Sequence, residues 1–207
     1  MVDETTQPDM TIDEFCRRHN ACSEGRTWAA VHCRTMREVW DTARHTWLIW
    51  IALTKGVLPD QDVRRFAAIC AADVRPLLQK EDRLLDAIDM AEKLSNSGNA
   101  DEWVAEVFDS ANLRRKTMMR ELPISKTKVP AATAVCEALI CCVMTDTRLR
   151  DCASDVSGYS LIALGKHRGY RMFTEAWDKE VCPTVLDRRV RWLRENTKPN
   201  FKCTTTT

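Results

Sequence analysis

DQDVRRFAAICAADVRPLL, residues 60–78, is the stretch that decides the fold. Val63, Phe66, Ala67, Cys70, Val74, Leu77 and Leu78 recur at the three- and four-residue steps that line one face of a helix, while Arg64, Arg65 and Asp73 fall off that face. Pro76 has no N–H to donate and crowds the preceding turn, so it kinks or shortens the helix. The same period continues in both directions, and no β-branched run alternates in the two-residue rhythm of a strand. An all-α fold is expected.

Toward the N-terminus, Thr11-Ile-Asp-Glu14 is a capping box that opens a helix over about Ile12 to His19. A second helix covers Ser23 to Cys33, and Thr35-Met-Arg-Glu38 repeats the box before a short segment through Trp40. Thr46 to Thr54, stopped by Gly56 and followed by Pro59, carries Trp47, Trp50 and Ile51 as one apolar stripe. Toward the C-terminus, Glu81 to Ser95 turns Leu84, Leu85, Ile88, Ala91 and Leu94 inward, and Asn99-Ala-Asp-Glu102 caps a helix that buries Trp103, Val107 and Phe108. Residues 123–130 form a basic, Pro-bounded loop and the clearest boundary in the chain. In Ala131 to Met144 only Thr133 and Glu137 are polar, which reads as a central helix buried nearly all round. Three more helices follow near Thr147 to Leu164, Tyr170 to Val181 and Pro183 to Asn196, with Pro183 in a first turn. The expected architecture is a multi-helix bundle of about eight to ten helices. Residues 1–121 form an N-terminal helical region, and 131–197 a C-terminal one that either stands apart or continues the first. Residues 198–207, with neither an apolar face nor a cap, are expected to be a disordered tail.

The 207 residues are 44% hydrophobic, enough for a sizeable core, and seven Pro and six Gly exclude collagenous and low-complexity classes. No apolar run approaches the roughly 20 residues that span a bilayer. Asp3, Glu4, Asp9, Asp13 and Glu14 precede the first base, the opposite of a signal peptide. The expectation is a cytoplasmic protein with no membrane contact. Ten cysteines without a secretory signal read as reduced thiols, and Cys70, Cys136 and Cys142, inside apolar helical stretches, as small core hydrophobes. No Cys-x-x-Cys pair occurs, and the weak candidate metal set is Cys16, His19 and Cys22, at a spacing that helix packing also produces. No cofactor is expected. The tryptophans Trp28, Trp40, Trp47 and Trp50 read as core or as interface anchors. Glu137 on its apolar helix needs a partner or a raised pKa, and reads as a structural partner of an arginine ahead of a catalytic acid. No nucleophile motif surrounds any Ser or Cys, so no enzyme activity is expected.

Charge is segregated although the net sum is +1. Residues 81–109 hold nine acids, Asp82, Asp86, Asp89, Glu92, Asp101, Glu102, Glu106 and Asp109 among them, against two bases. Residues 113–128 hold six bases, Arg114, Arg115, Lys116, Arg120, Lys126 and Lys128, against one acid. Arg188, Arg189 and Arg191 add to the basic side. The acidic segment suits docking onto a basic groove of a protein partner. The basic segments 113–128 and 166–194 suit phosphate contacts, with Tyr170 or Trp192 stacking on bases. Compensating solvated faces remain the simplest account of both.

The run Asp62 to Leu78, with Asp86-Ala-Ile-Asp-Met-Ala-Glu92 and Asn99-Ala-Asp-Glu-Trp103, resembles the all-helical repeat of an immunity-protein family found in polymorphic-toxin loci and in phage-type proteins. His19-Asn-Ala-Cys-Ser-Glu-Gly-Arg-Thr-Trp28, Trp40 and Trp47-Leu-Ile-Trp50 resemble the leader that precedes it in the phage-type members. The likeness covers about Phe15 to Ala111; beyond it the Arg/Trp-rich C-terminal part departs from the family's Ala-rich second half. The resemblance implies a non-enzymatic inhibitor that binds a toxin or a host-defence effector, such as a nuclease or a CRISPR-type effector, inside a bacterial host cell. The alternative is a nucleic-acid-binding helical protein.

Overall fold

The structure is a computed structural model that describes residues 9–78, 82–97, 129–142, 144, 146–167 and 182–202. Among them are nine α-helices: α1 (Ile12–Arg18), α2 (Ser23–His32), α3 (Met36–Thr42), α4 (His45–Leu53), α5 (Asp60–Ala72), α6 (Asp82–Ser97), α7 (Val129–Cys141), α8 (Asp146–His167) and α9 (Cys182–Asn196). The described residues contain no strand, only an isolated bridge between Asp9 and Lys202. The chain is an all-α multi-helix bundle. The helices expected near Asn99 to Ala111 and Tyr170 to Val181, and the loop 123–128, lie outside the described residues.

The capping chemistry sets the helix starts. Thr11 Oγ1 accepts from Glu14 N at 3.3 Å while the Glu14 carboxylate accepts from Thr11 N at 3.0 Å, which satisfies two of the orphan donors at the start of α1. At α3 the box opens differently. Thr35 Oγ1 accepts from Glu38 N, but the Glu38 carboxylate reaches one residue further back to Arg34 N at 2.6 Å. Cys22 caps α2, its Sγ accepting from Gly25 N. Helix α5 stops at Ala72, because the Pro76 ring would press on the carbonyl of residue 72, four positions back. Arg75–Leu78 continues as a single 3-10 turn. After α4, Gly56 takes φ 86°, a left-handed geometry that costs an L side chain about 1–2 kcal/mol.

Helix α7 is the expected central helix. From Pro130 to Cys141 every residue except Thr133 is buried, and α8 packs along it, with α5 against both helices and α6 against α5 and α7. Helix α9 crosses back onto α4 and α5. One continuous hydrophobic cluster runs from Met10 and Phe15 through Phe66, Ile88, Val135 and Leu149 to Leu193 and Phe201. Described residues from both 1–121 and 131–197 contribute to this cluster.

The start of the expected disordered tail is tied down. Asn200 N donates to Val57 O and Met10 N to Phe201 O, both at 2.7 Å. Phe201 is buried edge-on between Phe15 at 6.0 Å and Trp40 at 6.3 Å. The sequence around it has no period to reveal this, since one aromatic ring and two backbone hydrogen bonds do the anchoring. Residues 203–207 lie outside the described set.

Candidate functional site

The acidic segment is realised on α6. Leu84, Ala87, Ile88 and Ala91 bury its inner face, which leaves Asp82, Asp86, Asp89, Met90, Lys93 and Asn96 exposed. Glu92 lies at the edge of this stripe. Arg75, on the 3-10 turn, bonds Asp89 at 2.6 Å and Glu92 at 3.5 Å, and the Asp89 hydrogen bond holds its guanidinium pKa above the ordinary value. Met90 is 39% exposed, one of three large apolar side chains showing that much surface among the described residues. An apolar side chain set among carboxylates has the make-up of an interface anchor with a charged rim. Asp101, Glu102, Glu106 and Asp109 lie outside the described residues, as do Arg114, Arg115, Lys116, Arg120, Lys126 and Lys128.

The basic side needs a correction. Arg189 is not a surface residue: its side chain is fully buried. Its Nε donates to Asp73 Oδ2 at 2.9 Å and its Nη1 to the carbonyl and hydroxyl of Ser157 at 3.1 and 3.0 Å. Its Nη2 donates to Ser160 Oγ at 2.7 Å and lies 2.8 Å from Asp73 Oδ2. The Asp73 carboxylate, itself 5% exposed, also takes Arg188. The pair ties the C-terminal end of α5 to α8 and α9. Arg191 remains exposed, and Asp187, one turn away from it, pairs with His45 at the start of α4. Arg194 donates to the carbonyls of Trp40 and Ala43 and so caps the end of α3.

The candidate metal residues divide between environments. Cys16 is buried in α1, where burial raises its thiol pKa, while Cys22 is exposed at the cap of α2. Burial likewise lowers the pKa of His19, which ends α1. Among the described residues no three His, Cys, Asp or Glu side chains group as a metal set. Glu137 is buried, and its Oε2 accepts from the Cys152 thiol at 3.2 Å, a partner the spacing did not suggest. Burial pushes the thiols of Cys70 and Cys142 up to about 11 and about 12, so both stay protonated and pack as apolar groups.

The tryptophans also divide. Trp40 is buried, Trp28 and Trp47 are half-buried, and Trp50 is exposed at 39%. Phe15, Trp28, Met36, Trp47 and Trp50, with Cys16, line a cavity of about 230 Å³ among α1 to α4. Rings of Trp28 and Trp47 lie 5.3 Å apart, tilted by 45°, and the Arg44 guanidinium stacks over Trp47 at 3.8 Å. The stripe Trp47, Trp50, Ile51 marked these residues, but the space between the four helices has no sequence signal.

Set against known proteins, the chain matches no family model, no curated protein and no solved structure. The likeness of residues 15–111 to the immunity-protein repeat stands on the quoted residues alone. Among the described residues no helix is long and apolar enough to cross a membrane.

Proposed function

We propose that the protein is a non-enzymatic binding protein of a phage or other mobile element. It neutralises a toxin or host-defence effector, of the immunity or anti-defence (anti-CRISPR) kind, in the cytoplasm of the bacterial host. The observation that carries this reading is the outer face of α6, where Asp82, Asp86 and Asp89 flank exposed Met90. With Arg75 bonded to Asp89, Asp82 and Asp86 supply the negative charge that steers the helix toward a basic groove, while Met90 supplies apolar contact once docked. Blocking is steric, so the reading needs no reacting group. The nucleic-acid alternative loses Arg189, which is spent on Asp73 in the interior.

The test is capture of a nuclease or CRISPR-type effector by the purified protein and by the double variant Asp82→Lys/Asp86→Lys. Capture of one basic effector by the native chain, with association at least tenfold slower for an equally helical variant, supports the reading. Equal association by both proteins overturns the assignment to α6. A native chain that retards DNA or RNA at physiological salt while capturing no effector supports nucleic-acid binding instead.

A further inference from the structure

We infer that the cavity among α1 to α4 is a binding site for a free, neutral aromatic molecule of one or two rings. Its volume, about 230 Å³, fixes the size class: an apolar cavity of about 150 Å³ accommodates benzene, so this one has room for a fused bicycle such as indole. Its walls fix the chemistry. Phe15, Trp28, Trp47 and Trp50 offer ring faces and edges to an incoming ring, which stacks or meets them edge-on at the separations aromatic pairs prefer. No residue lining the cavity is charged, and a carboxylate or ammonium placed there would be desolvated without a partner. The buried Cys16 thiol adds no charge either, since burial raises its pKa. The one hydrogen-bonding amide among the lining side chains belongs to exposed Asn20, which suits a ring carrying a single N–H or O–H.

Small residues keep the space open. Ala21, Gly25, Ala29 and Ala43 line the cavity where larger side chains would fill it. A Cβ on Gly25 would already stand in van der Waals contact with Trp47, 3.4 Å from its Nε1, and 3.3 Å from the Cys22 sulfur, so a side chain larger than alanine at residue 25 would have to take space beside Trp47. Arg44, stacked on Trp47, holds that ring in place. This site is separate from the α6 face and stands or falls without it.

The experiment follows the full chain labelled with 5-fluorotryptophan by fluorine NMR during titration with indole, each resonance assigned by a single Trp→Phe variant. Saturable shifts of Trp28, Trp47 and Trp50, with Trp40 and Trp192 unmoved, support the site. Absence of saturation by about 5 mM, where a ligand with a Kd of 1 mM would be mostly bound, overturns it. Indole-3-acetate should bind at least tenfold more weakly than indole, and equal binding overturns the neutral-ligand assignment. Gly25→Leu should weaken indole binding at least tenfold, and unchanged binding overturns the location. Should Gly25→Leu not fold, pyrene decides on the native chain: four fused rings exceed the cavity, so failure to shift the three resonances supports it and saturation overturns it.

Discussion

Replacing Arg189 by Met tests whether the α9 arginine is an interior strut or a phosphate contact. The substitution keeps an unbranched apolar stem and removes the guanidinium, leaving the 5%-exposed Asp73 carboxylate with exposed Arg188 as its remaining ion-pair partner. The hydroxyls of Ser157 and Ser160 each lose a donor as well. Breaking a buried ion pair from one side costs about 3–5 kcal/mol, because the surviving charge stays buried. Arg188 still reaches Asp73, so the lower end, about 3 kcal/mol, is expected. For a chain of this length that corresponds to a fall in Tm of roughly 6–12 °C. Urea unfolding followed by circular dichroism at 222 nm gives the free energy directly, and the double variant Arg189→Met/Asp73→Asn should recover part of the loss because the stranded charge is gone. A cost below about 1 kcal/mol, the range of an exposed ion pair, would refute the strut. Loss of nucleic-acid retardation at unchanged stability would return Arg189 to the surface role its sequence suggested.

Phe201→Ala should destabilise by about 3 kcal/mol, seen in the same urea titration, since it empties the seat between Phe15 and Trp40. Gly56→Ala should cost about 1 kcal/mol through its left-handed backbone alone, with no change in helix content by circular dichroism. Alkylation followed by peptide mass mapping should modify Cys22 in the folded protein, and Cys70 and Cys142 only in denaturant. Because burial raises their pKa, moving from pH 7 to pH 9 should leave Cys70 and Cys142 protonated and unmodified. Glu14→Gln should flatten the acid limb of the stability profile. Hydrogen bonds from Thr11 hold the Glu14 carboxyl below its usual range, so its contribution is complete above the ordinary glutamate pKa and fades as the pH falls through the lowered one.

Local rules made much of the bundle legible. The Thr11 box, the apolar stripe of α5, its end before Pro76 and the all-round burial of α7 each depend on residues within a few positions of one another, and period and capping report such relations. What stayed hidden is set by partners far along the chain. Arg189 reads as one more charge on a solvated helix until Asp73, 116 positions earlier, is placed beside it. Asp187 has Arg191 one turn away, yet pairs with His45 across 142 positions. The acidic stripe was visible in composition, but Met90 became an anchor only once α6 had a buried side and an outer one. The cavity arises from the angles among four short helices, which no spacing encodes.

The seat of Phe201 gives the bundle an order of completion. Helices α1 to α4 are translated early, but the ring that fills the space between Phe15 and Trp40 belongs to residue 201. At about 5–20 residues per second, the roughly 150 residues between the end of α4 and that ring take on the order of ten to thirty seconds to synthesise. Throughout that interval the first helices present an unsealed apolar notch to chaperones and to neighbouring nascent chains. Stability of the N-terminal helices is thus conferred only once residue 201 has been made, and a ribosome stalled before it displays them incomplete.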